Sequence, residues 1–210
     1  NVGSKPEALP GDFRELELVP VKPFEEFVCA WRSWQKSPMP LAILGGGAAG
    51  VELALALAPQ VSELTLISSG EILVGHPTGL RARAIRCLVK AEVKLIEGAA
   101  VETVNGDALL CGSQIVWRGK RLILATGAAP LPWLKEGALA QDKRGFVAIT
   151  PTFQSVSHKQ ILAVGDCASL PDCPRNGVYA VRQGPLLAKN LAAALEGQQL
   201  INFVPQRHAL

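Results

Sequence analysis

Apolar residues gather along this chain in short, nearly unbroken runs, and the runs alternate with longer stretches of helical spacing. Leu41-Ala42-Ile43-Leu44, Leu64-Thr65-Leu66-Ile67, Val93-Lys94-Leu95-Ile96 and Arg121-Leu122-Ile123-Leu124 each read as a strand. So do Gly145-Phe146-Val147-Ala148-Ile149 and Gln160-Ile161-Leu162-Ala163-Val164-Gly165-Asp166. A run without alternation marks a strand buried on both faces, as in a parallel sheet covered on each side. Helices are expected between the runs. Phe24, Phe27, Val28 and Trp31 give Phe24 to Trp34 an apolar face, and an Ala/Leu-rich run reaches Ala58 before Pro59 stops it. Gly79 to Ala91 is basic, with Leu80, Ile85, Leu88 and Val89 as a partial apolar face. Val181, Leu187, Leu191 and Leu195 mark a last helix from about Gly177 to Glu196, ended by Gly197 and set to kink or restart at Pro185. Shorter β-like pieces at Val101–Val104, Ala108–Cys111 and Gln114–Trp117 are split by Asn105-Gly106-Asp107 and Gly112-Ser113, a hairpin signal that predicts a β-meander. The alternation of strands with helices predicts an α/β fold.

The run at Leu41 stops at three glycines. Gly45, Gly47 and Gly50 fit G-x-G-x-x-G between a strand and a helix, the setting in which that pattern binds dinucleotides. Gly45 permits the tight turn, Gly47 lets a pyrophosphate approach the backbone, and Gly50 lets the helix pack close on the strand. The helix start at Ala48 and Ala49 then presents free N–H groups and a partial positive charge to the phosphates. In such a site an acidic residue about 20 positions further on takes the ribose hydroxyls. That place falls at Ser68; Glu71 follows in the next loop, with Arg81 and Arg83 farther along. A serine there leaves the choice between NADH and NADPH open.

Proline and glycine divide the chain. Val19-Pro20-Val21-Lys22-Pro23 is extended, and Ser37-Pro38-Met39-Pro40 sets a boundary before the first buried run. Residues 1–38 therefore read as part of one α/β domain, residues 39–120 as a Rossmann-like dinucleotide-binding domain inserted in it, and residues 121–210 as its second part. The apolar face of Phe24 to Trp34 has no partner within 1–38, so it is expected to pack beside the C-terminal piece. Val2-Gly3-Ser4-Lys5-Pro6 echoes Thr126-Gly127-Ala128-Ala129-Pro130, which suggests two related nucleotide-binding units. The start at Asn1 and a tail that stops mid-pattern at Phe203 to Leu210 suggest a piece of a longer chain.

Composition narrows the field by exclusion. Hydrophobic residues at 49% and charged residues at 19% are globular, and the apolar runs are too short to span a bilayer. Asn1 onward does not resemble a signal peptide. A net charge of +3 and 5% aromatics argue against nucleic acid as a partner. Five cysteines without a Cys-x-x-Cys form neither a disulfide framework nor a zinc or dithiol centre, so reduced, cytoplasmic thiols are the default. Cys167 and Cys173 read as ordinary small thiols, with Arg175 the one obvious cation nearby. His76, His158 and His208 share no metal-ligand spacing, and no metal is expected.

Taken in order, Gly45-Gly46-Gly47-Ala48-Ala49-Gly50-Val51-Glu52, Ala125-Thr126-Gly127 and Ala163-Val164-Gly165-Asp166 resemble the pyridine nucleotide-disulfide oxidoreductase superfamily. These are flavoproteins of two dinucleotide domains, so the resemblance implies an FAD/NAD(P)-binding fold with part of a second, FAD-binding α/β domain. Within the superfamily the likeness is to FAD-dependent NADH dehydrogenase-like (type II) proteins. Pro20-Val21-Lys22-Pro23 and Ala180-Val181-Arg182-Gln183-Gly184-Pro185, with the glycine loop, resemble the version fused to selenide, water dikinase. The cofactors implied are FAD and NAD(P)H. Gly45, Gly47 and Gly50 would hold the NAD(P)H pyrophosphate, and Glu52 would lie near the nicotinamide end. Thr126 and Gly127 would line the passage between the cofactors. Gly165 and Asp166 would hold the ribityl-phosphate part of FAD, and Gln183 would lie near the isoalloxazine ring. Two features depart from the family: its first FAD glycine motif would fall upstream of Asn1, and its Cys-x-x-Cys is absent from this portion.

In such proteins the flavin performs the electron transfer while the protein aligns the hydride donor, so no catalytic acid or base is needed. The activity implied is an FAD-dependent NAD(P)H oxidoreductase that passes electrons to a quinone or another small-molecule acceptor. A second reading is an NAD(P)H-sensing regulatory module acting on a fused or partner enzyme such as selenide, water dikinase. A third is a structural remnant of a flavoprotein half. A cytoplasmic location, with or without peripheral attachment to a membrane, is the expectation.

Overall fold

A computed structural model describes residues 1–175 and 177–205; His208 lies outside the described residues. The chain divides into two compact units, one of residues 6–127 and one formed by residues 1–5 with 128 onward. After β1 (Lys5–Pro6) come β2 (Gly11–Asp12), β3 (Glu17–Pro20), α1 (Phe24–Trp34), β4 (Leu41–Leu44), α2 (Ala48–Leu57), β5 (Leu64–Ile67) and α3 (Thr78–Lys90). Next are β6 (Lys94–Ile96), β7 (Thr103–Asn105), β8 (Ala108–Cys111), β9 (Gln114–Arg118) and β10 (Arg121–Leu124). Beyond these lie β11 (Ala128–Ala129), α4 (Pro132–Lys135), β12 (Val147–Ala148), β13 (Ala168–Ser169) and α5 (Gly177–Leu195).

In the first of these units, five parallel strands run in the order β3-β10-β4-β5-β6. Every residue of β4, β5 and β10 is buried, as expected of apolar runs without alternation. Successive side chains still point to opposite faces. Leu41, Ile43, Leu64, Leu66 and Ile123 join the core beneath α1, α2 and α3, through Phe27, Trp34, Val51, Ala54, Leu57, Ala84 and Leu88. Ala42, Leu44, Ile67, Leu122 and Leu124 face the other way and pack on Val104, Leu109 and Trp117 of the smaller sheet β2-β7-β8-β9. The parallel sheet is thus covered by helices on one face and by the expected meander on the other.

Helix α1 spans the predicted residues and packs on the C-terminal piece as expected, but on the glycine-loop strand as well. Glu25 and Glu26 in its first turn and Arg32 in its last suit the helix dipole. Its buried residues, Phe27 and Trp34, lie in one core with Leu41 and Ile43 of β4 and with Ile123 of the C-terminal piece. Arg121 fastens it there. This 7% exposed guanidinium donates to the carbonyls of Trp34 (3.1 Å) and Ser37 (2.5 Å), pairs with Glu17 at 3.1 Å and lies 5.3 Å from the Trp34 ring centroid. A cation on the last carbonyls of a helix is a recognised way to satisfy them.

The compact units divide at Lys5/Pro6 and Gly127/Ala128, where the sequence suggests domain limits at 38/39 and 120/121. The physical reason is strand pairing: β3 bonds to β10, and β10 to β4, so none of the three leaves the sheet without breaking a ladder. Ser37-Pro38-Met39-Pro40 is only the turn that carries α1 into β4.

In the other unit, β12 pairs in parallel with β13. Its core includes Leu134, Val147, Ile149, Phe153, Ala163, Val164 and Cys167, with Leu186 and Leu187 of α5 against them. The strand expected over Gln160–Asp166 is corrected: those residues make one isolated bridge, Gln154 with Leu162, and then a short 3₁₀ turn, Gly165–Cys167. Their backbone bonds go to a neighbouring turn, Ala163 N–H to Phe153 and Ser155 N–H to Ile161, so burial rather than pairing explains the apolar run. Helix α5 continues through Pro185 instead of restarting there. Arg175 lies 4.0 Å from the Phe146 ring centroid and pairs with Asp142 at 3.3 Å. Among the described residues no helix is long and apolar enough to cross a membrane.

Replacing Arg121 by Met should cost about 2–4 kcal/mol, because two backbone carbonyls lose charge-assisted bonds; urea unfolding followed by Trp31 and Trp34 fluorescence measures it. Asp142 has a lowered pKa: burial pushes it up, but bonds from Ser169, Phe146 and Arg144 and the charge of Arg175 outweigh that. A carboxylate depressed in the folded state adds stability above its ordinary value of 3.8 and loses it as pH falls through the lowered folded value. Asp142→Asn should therefore flatten the acid limb of a stability-versus-pH curve while lowering stability at neutral pH.

Candidate functional site

Where β4 ends, three backbone segments meet with no side chain between them. Gly45 has φ +135°, and a Cβ on it would stand 2.1 Å from the carbonyl oxygen of Ala125, at the end of β10. A Cβ on Gly50 would stand 1.8 Å from the carbonyl oxygen of Gly45. Helix α2 therefore leans on the strand that feeds it and starts directly at the strand's end. Gly47 is the exception: nothing lies within 4 Å of the place its Cβ would take, and its φ of −74° suits any residue. The room that Gly47 leaves is on the outside of the loop. Gly47, Ala48 and Ala49 are exposed there while Gly50 is buried. No side chain caps the start of α2 and no acidic residue stands in its first turn, so its amides and dipole face outward unopposed.

Strand order puts this loop at a topological switch point. From β4 the chain goes to β5 and β6 on one side, and β10 and β3 lie on the other. Ligands of open α/β sheets sit outside the carboxyl ends of strands at such a point. Thr126 and Gly127 follow β10 there; the Thr126 hydroxyl donates to the carbonyl of Glu7 at 2.8 Å, and Glu7 N–H to Gly127 at 2.9 Å. Glu52 is exposed on α2. Ser68, directly after β5, is buried at 4% exposure, and its Oγ would be 2.1 Å from a Cβ on Gly46.

Gly46 is the residue that the motif did not single out. Its need for a bare Cα comes from Ser68 and Ile72, which sequence spacing does not connect to it. The loop after Ser68 bends back: Leu73 N–H donates to Gly46 C=O at 2.8 Å, and Ile72 N–H donates to Glu97 at 2.6 Å. Glu71 precedes Ile72 in that loop and lies 3.6 Å from Arg81, which pairs with Glu97 at 2.9 Å. Thus the structure gathers Gly45, Gly47, Ala48, Ala49, Gly50, Ser68, Thr126 and Gly127 around the carboxyl ends of β4, β5 and β10.

Gly165, Asp166 and Gln183 belong to the other unit. Gly165 has φ +72°, and its N–H donates to the buried Gln183 side chain at 2.7 Å. Ser4 Oγ donates to Asp166 Oδ2 at 3.2 Å. Gln183 thus holds the turn that presents Asp166, a role its place in the sequence did not announce. Gly165 and Gln183 share a small pocket with Ile149, Cys173, Arg175 and Tyr179. Burial pushes the Cys173 thiol up, against a weaker opposing bond from Gln183, and Arg175 is engaged by Asp142 and Ser169. Cys173 is therefore less of a thiolate than a free cysteine. Cys167 is buried, its thiol on the Val164 carbonyl.

These contacts separate two roles among the glycines. Gly50→Ala should cost about 1–3 kcal/mol or more, because a Cβ must displace backbone. Gly47→Ala should leave the thermal midpoint within a few degrees of the parent's. Circular dichroism melts of the two variants decide it: equal losses would contradict the geometry.

Residues 4–188 match the family described as pyridine nucleotide-disulphide oxidoreductase. The chain is 27% identical over 175 residues to the NADH dehydrogenase-like protein YutJ of Bacillus subtilis, covering 79% of this chain and 47% of that one. It is 26% identical over 196 residues to the alternative NAD(P)H-ubiquinone oxidoreductase C1, chloroplastic/mitochondrial, of Arabidopsis thaliana, covering 80% and 38% respectively. The chain thus spans less than half the length of these relatives. Among solved structures, an FAD-dependent pyridine nucleotide-disulphide oxidoreductase from Desulfovibrio vulgaris superposes with a TM-score of 0.74 at 24% identity, over 96% of this chain and 54% of that one. A glycine loop at the switch point of a parallel sheet and a match over most of its length agree: the chain belongs to the pyridine nucleotide-disulphide oxidoreductase family.

Proposed function

We propose that this chain contributes the nicotinamide-nucleotide site, and part of the flavin site, of an FAD-dependent NAD(P)H oxidoreductase. The observation that carries the reading is the loop at β4, where three glycines are fixed by contact and the fourth, Gly47, is left open above an uncapped helix start. That arrangement suits a pyrophosphate: the open Cα lets it reach the backbone, and the amides of α2 meet its charge. Gly45, Gly47, Ala48, Ala49 and Gly50 hold the phosphates in this reading. Ser68 stands on the ribose side, and Glu52, Thr126 and Gly127 stand toward the nicotinamide.

In the other unit, Gly165 and Asp166 offer a left-handed turn and a carboxylate for the ribityl end of FAD, with Gln183 keeping the turn in place. Bound FAD would accept hydride from the nicotinamide and hand electrons on. The protein's own task is to hold the donor and to exclude competing reactions. The names of the relatives support a quinone among the possible acceptors, one of them being an NAD(P)H-ubiquinone oxidoreductase.

Anaerobic addition of NADH or NADPH to the FAD-loaded protein should bleach the flavin absorbance. Nucleotide binding without bleaching would overturn the oxidoreductase reading in favour of a nucleotide-sensing module. Gly47→Val should weaken nucleotide binding by about tenfold or more, the equivalent of about 1.4 kcal/mol, while the fold persists. Titration calorimetry measures it, and an unchanged affinity would remove the phosphate cradle from the account.

A further inference from the structure

The dinucleotide site has no acid directly after β5, where Ser68 stands, yet carboxylates reach that edge by another route. Glu97, immediately after β6, accepts Ile72 N–H at 2.6 Å and Arg81 Nη2 at 2.9 and 3.0 Å. Ile72 is the residue whose Cγ2 would lie 3.3 Å from a Cβ on Gly46, and the next residue, Leu73, bonds to the Gly46 carbonyl. Glu97 therefore holds the loop after Ser68 against the glycine loop. It also takes up the cation that a 2′-phosphate would need. A second carboxylate, Glu71, lies 3.6 Å from Arg81 Nε and is itself largely exposed. Arg81 and Glu97 are each mostly enclosed, at 27% and 29% side-chain exposure, so their charges are fixed in position and only partly screened.

Two carboxylates and one guanidinium leave this edge with a net charge of −1. A 2′-phosphate brings a further charge of about −1.5 to −2, the usual value for a phosphate monoester near neutral pH. From this we infer that the nucleotide site selects NADH over NADPH, and that Glu97 is the specificity-determining residue: it supplies from β6 the negative charge missing at Ser68 and withholds Arg81 from a 2′-phosphate. The inference rests on the proposed nucleotide site at the glycine loop. Glu97 acts as a positioning residue as well, because the Ile72 bond sets the loop that carries Glu71.

Titration calorimetry of the chain with NADH and with NADPH tests this. The parent should bind NADH more tightly by about tenfold or more, a difference of about 1.4 kcal/mol. Glu97→Gln keeps an oxygen for Ile72 N–H and removes the charge, so NADPH affinity should rise about tenfold while NADH affinity stays within about threefold. Adding Arg81→Met to Glu97→Gln should abolish the gain, because the freed guanidinium is what binds the phosphate. Should Glu97→Gln fail to fold, as a melt would show, Glu71→Gln on the exposed side of Arg81 should raise NADPH affinity in the same direction by about threefold. A parent that prefers NADPH, or variants that keep the parent's ratio while both nucleotides bind, would overturn this inference alone. Failure of both nucleotides to bind the folded parent would overturn the glycine-loop reading and this inference with it.

Discussion

The fold of the larger unit depends on how closely α2 is allowed to approach β4. The carbonyl oxygen of Gly45 occupies the place a Cβ on Gly50 would take, and the carbonyl of Ala125 occupies the place of one on Gly45. Those two absences let three backbones touch. They bring the start of a helix to the end of the central strand and set β10 beside it, so that free amides, a loop with room above it and the carboxyl ends of neighbouring strands converge. Dispersion and apolar burial beneath the sheet hold the helix down, through Val51, Ala54 and Leu57. The glycines decide where it is held. A side chain at either place would separate helix from strand and dissolve the convergence before any ligand chemistry was reached.

The second determinant is the way the sheet recruits the N-terminal segment. Glu17 to Pro20 is an edge strand, and its proline is tolerable because an edge needs bonds on one side only. Arg121 then ties that strand, through Glu17, to the end of α1, through the carbonyls of Trp34 and Ser37. A buried cation with three oxygen partners is a costly group to orphan, so strand, helix and turn are held to one arrangement.

What the sequence disclosed follows from which forces are local. The strand at Leu41, the helix after it and the strand at Leu64 were legible because continuous burial, helix-friendly residues and glycine spacing all act within a few positions. The cover of Phe27 and Trp34 was legible only in part: an apolar stripe requires cover without naming it, and the cover came from β4 as well as from the C-terminal piece. The run at Gln160 misled for a related reason. Ala163 and Val164 are apolar because they are buried, and burial does not imply a ladder. Gly46 stayed hidden inside a run of three glycines because its constraint is Ser68, a residue of the next strand. Glu97 stayed hidden for the same reason, reaching the site from β6.

The bond from Glu7 N–H to the carbonyl of Gly127 joins the second residue of the larger unit to its last, and the Thr126 hydroxyl adds a second tie at the same place. A continuous segment whose ends meet is topologically an insert. It enters and leaves its host through a single doorway and imposes no stretch on the chain outside it. Such a segment has its ends together in the folded state, which is why insertions of whole units are tolerated at such places. The loop at β4 is thus carried on a stretch of chain that begins and ends at one place.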